Sequence, residues 1–503
     1  MRKKLCIPLA ALCIVLLGGC QSTPEESAVV SRSEGLDPNS VAETLKSGEE
    51  ISIEAPSHWS ASRSGDNEKM TINANLDLEP IVVGNLPVLE MERHCMTEEE
   101  LEKLVLHFSE GKELFKPQMN TKDIYQKVID RMENQEGAYA EQAAALYYME
   151  LKKQLQEAKE SAAEAVEDEK ITEIGFEVKQ EDESLNIAKG REGSDTGDAK
   201  IYFAADIGSD RQAYIEAETY DVDLKNESSF LWKTGEWISE ERIREYLRGN
   251  EYNNQDDETG YLESYRELLE GFVRAFDKNE MTQEAGREQA ELLVEELEMP
   301  EMSLEDYDRV LWFPNGAMPE LSSPGTQDDF VWQADLTQAE TGYLYTFTRN
   351  IGGLFAKEAG VAVKGVEETY APPFPVEMVQ IVVTQNGIME FRWQGMSEDA
   401  LVIAENTKLC DFEKIQERLF KQIWYWYTGL GVPQSSDMKF SYEIVHAELG
   451  YTYITAYEKP ERAWLVPAWS FEVMEQVNGN DLQIIPHTLN ALDGGVVSSG
   501  YVN

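Results

Sequence analysis

The chain has 503 residues, of which 95 are Asp or Glu and 44 are Lys or Arg, so its formal net charge at pH 7 is -51. Because a phosphate backbone is bound by clustered Lys and Arg, this charge argues against nucleic acid as a partner. Five cysteines in a chain of this length do not make a disulfide scaffold.

The N-terminus has the pattern of a secretory signal peptide. Residues 2–4 are basic, residues 5–17 are almost wholly apolar, and Gly18-Gly19-Cys20 follows. This apolar run is shorter than the roughly 20 residues that a membrane-spanning helix needs. The end of the run, LGGC, resembles a bacterial lipobox, in which the cysteine thiol takes a diacylglyceryl group and a peptidase cuts just before it. The resemblance implies a lipoprotein signal peptide over 1–19 and lipid attachment at Cys20; the alternative is an ordinary secretory signal with an incidental cysteine.

A lipidated Cys20 would tether the mature protein to the outer face of the bacterial cytoplasmic membrane. Each buried methylene contributes about 0.8 kcal/mol, so two or more acyl chains hold a protein stably where one does not. The predicted location is therefore extracytoplasmic, with the membrane as a partner through the anchor. Residues 20–50 are rich in Ser, Glu and Pro and predict a flexible acidic stalk.

Residues 51–278 predict an N-terminal α+β region of strands and helices. In TINANLDLEP, residues 71–80, apolar and polar side chains alternate, which is typical of a half-buried strand. Thr97 and Glu100 form a capping-box pattern ahead of a helix with an apolar stripe. The further elements predicted in this region are a helix from Thr121, one long exposed amphipathic helix over 138–167, strands between 174 and 220, and helices at 239–247 and 261–276.

Residues 279–503 predict a C-terminal α+β region, which divides into two helix-plus-sheet units at about 279–375 and 376–503. A helix from Thr282 ends before Pro300, as helices usually do near a proline. Within EMVQIVVTQNGIMEFRW, two strand patterns flank Asn386-Gly387, a pair suited to the positive φ of a hairpin turn. A further helix starts at Asp411. Helices followed by antiparallel strands, seen twice, predict the α+β class.

Searches for catalytic and metal-binding patterns find none that is specific. The five histidines have no zincin spacing, and neither CxxC nor G-x-S-x-G occurs. Ser-x-x-Lys occurs at Ser109/Lys112 and at Ser436/Lys439, but a match this short arises by chance in a long chain. The sequence thus predicts no catalytic residue, no cofactor and no metal ligand.

Three other features leave alternatives open. The acidic loops NNQDDETG and DVDLKNE could bind Ca²⁺, although both lack the glycine and terminal glutamate of an EF-hand. Cys95 and Cys410 could pair outside the cell or remain free. Aromatic residues that fit either a ligand groove or the core are Trp393, Trp424, Trp426, Trp464 and Trp469.

Segments in order along the chain resemble an uncharacterised lipoprotein family of Gram-positive gut bacteria, domain of unknown function 6034. The segments that carry the resemblance are INANLDLEPIVVGNLPVLEME, MTEEELEKLVLHFSEGKELF, TKDIYQKVI, TQEAGREQAELLVEEL, GYLYTFTRNIGG, VQIVVTQNGIMEFRW, ENTKLCDFEKIQERL and LVPAWSFEV with TLNALDGGVV. The long Ala/Glu-rich helix over 138–167 departs from that family. No activity is assigned to the family, so the resemblance implies none here.

The last segments are also similar to PepSY modules and to the YycH- and YycI-type extracytoplasmic regulators of sensor kinases. In NALDGGVV, Asp493-Gly494 matches the turn of their closing strand-turn-strand. This similarity implies binding and regulation.

Three functions follow as hypotheses. The leading one is a surface-tethered, non-enzymatic protein that binds a peptide, a protein or an envelope component through its C-terminal half. The second is a secreted hydrolase with acidic residues as acid and base, which requires two facing carboxylates in an aromatic cleft. The third is a solute-binding protein of a transporter, which requires two lobes with parallel sheets.

Overall fold

The structure, a computed structural model, describes residues 30–31, 35–66, 68–117, 121–134, 142–162, 169–180, 199–221, 227–253, 261–278, 281–315, 317–318, 336–363, 369–429 and 437–502. The signal peptide predicted over 1–19 and its lipid attachment residue, Cys20, lie outside the described residues. Both remain predictions. Among the described residues, no helix combines the length and the apolar character needed to cross a membrane.

The described chain contains seven α-helices and a 3-10 helix at Pro38–Ser40. The α-helices are Glu98–Ser109 (α1), Lys122–Asn134 (α2), Gln142–Ser161 (α3), Glu240–Asn253 (α4), Tyr261–Phe276 (α5), Gln283–Glu296 (α6) and Phe412–Gly429 (α7). The predicted capping box at α1 is confirmed: Thr97 N donates to Glu100 Oε2 at 2.7 Å, and Glu100 N donates to Thr97 Oγ1 at 3.2 Å. Thr282 likewise caps α6, with its side chain accepting from Ala285 N.

The strands lie before, between and after these helices. Those up to residue 239 are Val30–Ser31 (β1), Gly35–Leu36 (β2), Ile51–Ser52 (β3), His58–Gly65 (β4), Met70–Asp77 (β5), Val82–Val83 (β6), Val88–Arg93 (β7), Leu114–Phe115 (β8), Lys170–Ile171 (β9), Glu177–Gln180 (β10), Ala199–Ile207 (β11), Ala213–Glu218 (β12), Ser229–Lys233 (β13) and Gly235–Ser239 (β14). Those that follow are Met302–Pro314 (β15), Glu340–Ile351 (β16), Leu354–Phe355 (β17), Val361–Val363 (β18), Thr369–Tyr370 (β19), Met378–Thr384 (β20), Gly387–Gln394 (β21), Ser397–Ala404 (β22), Phe440–Ala456 (β23), Lys459–Val477 (β24), Asn480–Asn490 (β25), Val496–Val497 (β26) and Gly500–Val502 (β27).

Two large sheets organise the described chain. Sheet A has twelve strands in the order β14-β15-β16-β20-β21-β13-β12-β11-β8-β9, with β10 beside β11 and β17 beside β16. Sheet B has nine, in the order β19-β26-β25-β24-β23-β5-β4, with β7 beside β24 and β22 beside β7. Pairing within them is antiparallel except at β5–β23 and β19–β26. The predicted α+β class is confirmed, whereas the PepSY similarity stays a prediction.

The sheets do not follow the predicted boundary at 278/279. Sheet A joins β8–β14 to β15, β16, β20 and β21, and sheet B joins β4, β5 and β7 to β22–β26. Nor do the two units predicted within 279–503 correspond to separate sheets, because β20 and β21 pair into the sheet that holds β15 and β16. Local periodicity identifies a strand but carries no information about its partner, which explains the discrepancy.

The segment predicted as a stalk, 20–50, contacts the folded body in its second half. Ala42 N donates to Asn406 O at 3.0 Å, and Asn406 Nδ2 donates to Glu43 O at 2.8 Å. Leu45 N donates to Asn85 Oδ1 at 2.7 Å. These bonds hold residues 42–45 against sheet B, so a free stalk would have to lie closer to the N-terminus than predicted.

The helix predicted over 138–167 is described as α3, and it buries its apolar stripe against α2. Leu151 and Leu155 form a small cluster with Tyr125, Val128 and Ile129. The predicted helix is therefore not exposed on all sides, because this stripe packs within the protein itself.

The hairpin predicted around Asn386-Gly387 is present, with a different turn. Thr384 pairs with Gly387, so the two loop residues are Gln385 and Asn386. Gly387 has a φ of +108°, a backbone conformation that suits glycine, whereas Asn386 is not among the residues with positive φ. The positive φ therefore falls on one residue of the predicted pair.

The largest core cluster lies between sheet B and α7. Ile415, Leu419 and Ile423, which the helical spacing places on one face, are fully buried against Trp469 and Phe471. A second large cluster lies between sheet A and the helices α1 and α6. Burying a side chain of this kind contributes about 1.5–3 kcal/mol, so these two interfaces hold the sheets in place.

Candidate binding cleft at the junction of the two sheets

A cleft of about 470 Å³ lies where sheet A meets sheet B. Helix α1 and the connection from α6 to β15 form one wall, and the ends of β16, β21 and β22 form the other. The lining residues are His94, Glu100, Lys103, Leu104, Leu297, Glu298, Met299, Glu301, Met302, Arg349, Glu377, Trp393, Ser397, Glu398 and Asp399.

A buried ion pair forms the floor of this cleft. Arg349 Nη2 donates to Glu377 Oε2 at 2.8 Å and to the main-chain oxygen of Ser397 at 3.0 Å. Arg349 Nη1 donates to Asp399 Oδ1 at 3.1 Å. Because Arg349 belongs to sheet A while Ser397 and Asp399 belong to sheet B, this one guanidinium joins the two sheets.

Three donors hold the Glu377 carboxylate. Besides Arg349, Trp393 Nε1 donates to its Oε1 at 3.0 Å and Ser397 Oγ donates to its Oε2 at 3.1 Å. Ser397 Oγ also lies 2.9 Å from the hydroxyl of Tyr453 on β23, which extends the network into sheet B. A carboxylate with three fixed donors positions its neighbours and is poorly placed to exchange protons with a ligand.

Burial governs the electrostatics of the pair. Glu377 is only 3% exposed, and burial raises the pKa of its carboxyl above the ordinary value, with Arg349 offsetting part of the rise. Burial alone would lower the pKa of Arg349, but Glu377, Tyr453 and Asp399 more than compensate and raise it. The guanidinium therefore remains charged throughout the accessible pH range.

The rim of the cleft is acidic. The lining contains six carboxylates and two permanent cations, Lys103 and Arg349, an excess of four negative charges. Both cations are already paired, Lys103 with Glu298 at 2.7 Å and Arg349 with Glu377. The side chain of Glu398 is 63% exposed. A rim of this kind favours an incoming ammonium or guanidinium group.

His94 lies at the side of the rim beside α1. Its Nε2 is 2.9 Å from Glu100 Oε1, and its Nδ1 is 3.9 Å from Glu398 Oε2. Burial would raise the pKa of Glu100, but hydrogen bonds from Thr97 and the proximity of His94 outweigh it and lower the pKa. The residue that closes the capping box of α1 thus also faces the cleft.

Of the tryptophans predicted to line a groove or to lie in the core, some lie in the core and one lines the cleft. Trp426, Trp464 and Trp469 are buried in the core. Trp393 lines the cleft and donates to Glu377. Trp424 is half-buried and packs at the edge of the sheet B core.

Neither Ser-x-x-Lys match forms a described catalytic pair. The Ser109 hydroxyl donates to Leu106 O at 3.5 Å, and the side chain of Lys112 is 62% exposed. Ser436 lies outside the described residues, and Lys439 lies directly before β23.

Among the described residues, the remaining predicted features lie outside the cleft. Most of NNQDDETG and of DVDLKNE lies outside the described residues. Within the described ranges, no group of three or more His, Cys, Asp or Glu residues is arranged to hold a metal ion. Cys95 and Cys410 are both free. Burial raises the pKa of the Cys410 thiol to about 12, which makes it unreactive.

Sequence reasoning missed Arg349, Glu377 and Ser397. Arg349 ends the apolar run YLYTFT, and Glu377 stands directly before the buried strand MVQIVVT. A charge at the edge of a strand that is otherwise buried is the signal that could have identified Arg349 and Glu377, since charged side chains are almost never fully buried unless paired.

No family model matches the chain, and no curated protein matches it. Among solved structures, it is similar to an uncharacterized protein from Eubacterium rectale ATCC 33656 known from a crystal structure. The TM-score is 0.37 at 12% sequence identity, with 88% of this chain and 93% of that chain covered. A similarity of this size carries no inference about function.

Proposed function

We propose that the protein is a lipid-anchored, non-enzymatic binding protein on the outer face of the bacterial cytoplasmic membrane, and that its cleft takes a positively charged group of an envelope peptide or protein. The observation that carries the proposal is the excess of carboxylates around a cleft whose two cations are already paired. The lipobox at Cys20 supplies the proposed location.

Several features support binding in preference to catalysis. The floor of the cleft is a connected network, in which Glu377 accepts three hydrogen bonds and Arg349 donates to three oxygens. The exposed carboxylates of Glu398 and Glu301 stand above it. Such an arrangement presents fixed negative charge to a ligand without offering a free nucleophile or acid at its centre.

Charge-neutralising variants test the binding role of the cleft. A fluorescent hexalysine peptide should bind the wild-type protein with an affinity that falls as salt increases, because exposed charges are screened. Exposed ion pairs contribute about 0.2–1 kcal/mol each, so Glu301→Gln combined with Glu398→Gln should weaken binding by about twofold to thirtyfold.

The matched control is Glu443→Gln combined with Glu461→Gln, which removes two exposed carboxylates of sheet B outside the cleft. This pair changes the net charge by the same amount and should leave the affinity nearly unchanged. Equal losses in the two double variants would mean that the peptide binds the overall charge of the protein, and the cleft would lose its proposed role.

Replacement of Cys20 tests the anchor. In the native bacterium, Cys20→Ala should move the protein from the membrane fraction to the medium and abolish labelling by a palmitate analogue. Retention at the membrane without the thiol, or a wild-type protein that takes up no lipid, would overturn this part of the proposal.

One observation favours the second candidate, a secreted hydrolase. Glu377 is a buried carboxyl of raised pKa beside Trp393 in the cleft. If it were an acid catalyst, Glu377→Gln would abolish hydrolysis of chromogenic glycosides or peptides by a protein that still unfolds cooperatively. A wild-type protein that is inactive on such a panel would leave the binding role as the better account.

A further inference from the structure

We propose that the open edge of β15, together with the groove beside α6, binds an extended basic peptide segment as an added β-strand. This inference rests on the proposed function for the positive charge of the ligand, and it adds the form in which the ligand binds. The groove and the cleft share Glu298, Met299 and Met302, so a single extended segment could occupy both.

The edge is open because β14 is much shorter than β15. β14 pairs with β15 only from Val310 to Pro314, and at Ser239 the chain turns into helix α4. On its other side β15 pairs with β16 from Met302 to Trp312. Within the described ranges, no strand pairs with the outer side of residues 303–307.

The backbone at Tyr307 is oriented for pairing. Arg309 N donates to the side chain of Asp308 at 2.7 Å, so its N–H points away from β16. Ladder groups alternate along an antiparallel strand, which places the N–H and C=O of Tyr307 on the same outer side as those of Arg309. The Tyr307 side chain is 50% exposed, so the position is accessible.

The groove beside this edge has a volume of about 670 Å³. Its floor is apolar, with Val294, Met299, Leu304 and Phe347. Alternate side chains of an added strand project to one face of the sheet, and apolar side chains at those positions would cover this floor.

The rim of the groove is acidic. Glu291, Glu295 and Glu298 line it, and its single arginine, Arg287, is already paired with Glu291 at 2.7 Å. Asp306 and Asp308 add negative charge along the strand itself. Basic side chains on the ligand would complement both.

The same charges argue against a second copy of this chain as the occupant. Two chains of net charge -51 would bring the acidic residues of two edges together. Like charges on an edge reject identical edges while accepting a basic one.

A pair of peptides separates backbone pairing from charge attraction. The probe is an acetylated, amidated octapeptide that alternates lysine and valine. Its control carries an N-methyl group on every residue, which keeps every charge and side chain but removes the amide donors of both edges. Losing two or three hydrogen bonds should weaken binding of the control peptide by about tenfold or more.

Two variants of the protein test whether the backbone N–H of Tyr307 pairs with the peptide. Tyr307→Pro removes the outward N–H, and proline is tolerated at an edge whose N–H faces solvent. Tyr307→Ala keeps the N–H and removes the side chain. We expect Tyr307→Pro to lower the affinity for the octapeptide by about tenfold and Tyr307→Ala by less than about threefold.

The outcomes distinguish the two levels of the proposal. Equal binding of both peptides to the wild-type protein would overturn strand addition and leave charge recognition in place. Binding of neither peptide would overturn both. If the peptide-free protein dimerises and Tyr307→Pro abolishes the dimer, the edge would be assigned to a second copy of the chain. If Tyr307→Pro fails to fold by circular dichroism, the comparison of the two peptides on the wild-type protein decides.

Discussion

Replacing Arg349 by methionine should be one of the most destabilising single substitutions in this protein. The change removes the cation while leaving Glu377, which is 3% exposed, as a buried charge without its partner. Breaking a buried ion pair in this way costs about 3–5 kcal/mol of the free energy of unfolding. The loss of two further hydrogen bonds, to Ser397 and Asp399, acts in the same direction.

A double variant isolates the pair. Because a buried ion pair replaced as a whole by apolar side chains is often close to neutral, Arg349→Met combined with Glu377→Met should recover most of the loss. The double variant should then be about 2–4 kcal/mol more stable than Arg349→Met, and the coupling free energy between the two positions is at least that large because Glu377→Met alone also destabilises. Non-additivity of this size requires direct contact, which the 2.8 Å distance between Nη2 and Oε2 provides.

The pH dependence of the single variant follows from the pKa of Glu377. Burial raises this pKa already in the wild-type protein, and removing Arg349 takes away the charge that opposes the rise. A carboxyl whose pKa is higher in the folded state binds its proton more tightly there, so the folded state gains stability as pH falls through that pKa. Arg349→Met should therefore lose least stability at mildly acidic pH and most above neutrality.

The assay is urea unfolding followed by tryptophan fluorescence at pH 5 and pH 8. Arg287→Met is the control, because it breaks an exposed pair with Glu291 and should cost less than about 0.5 kcal/mol. The predicted role of the ion pair would be refuted if Arg349→Met were as stable as Arg287→Met. It would also be refuted if the double variant Arg349→Met/Glu377→Met were as unstable as Arg349→Met alone.

Three further predictions concern other parts of the fold. Thr97→Ala should cost about 1 kcal/mol by removing the capping box that Thr97 forms with Glu100, measured by thermal unfolding. Burial lowers the pKa of His487 to about 4, so protonation of this side chain opposes folding. The wild-type protein should lose roughly 2–3 kcal/mol of stability between pH 7 and pH 4, as measured by urea titration at each pH. The His487→Leu variant should not show this loss. Cys95 should react with a thiol reagent in the native protein while Cys410 reacts only on unfolding, and equal native rates would contradict the burial of Cys410.

Local sequence patterns predict the helix starts and strands of this protein well where the signal acts between neighbouring residues. Thr97 and Thr282 mark helix starts because a side-chain oxygen satisfies backbone donors within the same turn. The alternation in 71–80 predicts β5 because successive residues of a strand face opposite sides. The lipobox-like motif that ends at Cys20 is also contiguous, but the lipid attachment that it predicts lies outside the described residues and stays a prediction. Each of these signals acts over a few residues.

The arrangement of the sheets and the cleft depends instead on contacts between distant residues. β5 lies beside β23, and Ser397 meets Tyr453, although in each case long stretches of chain separate the partners. Periodicity specifies that a segment is a strand and which face it buries, but many partners would satisfy it equally. Only the packed chain brings Arg349 against Glu377 and Asp399, because burial in the junction of two sheets is what makes that charge require partners.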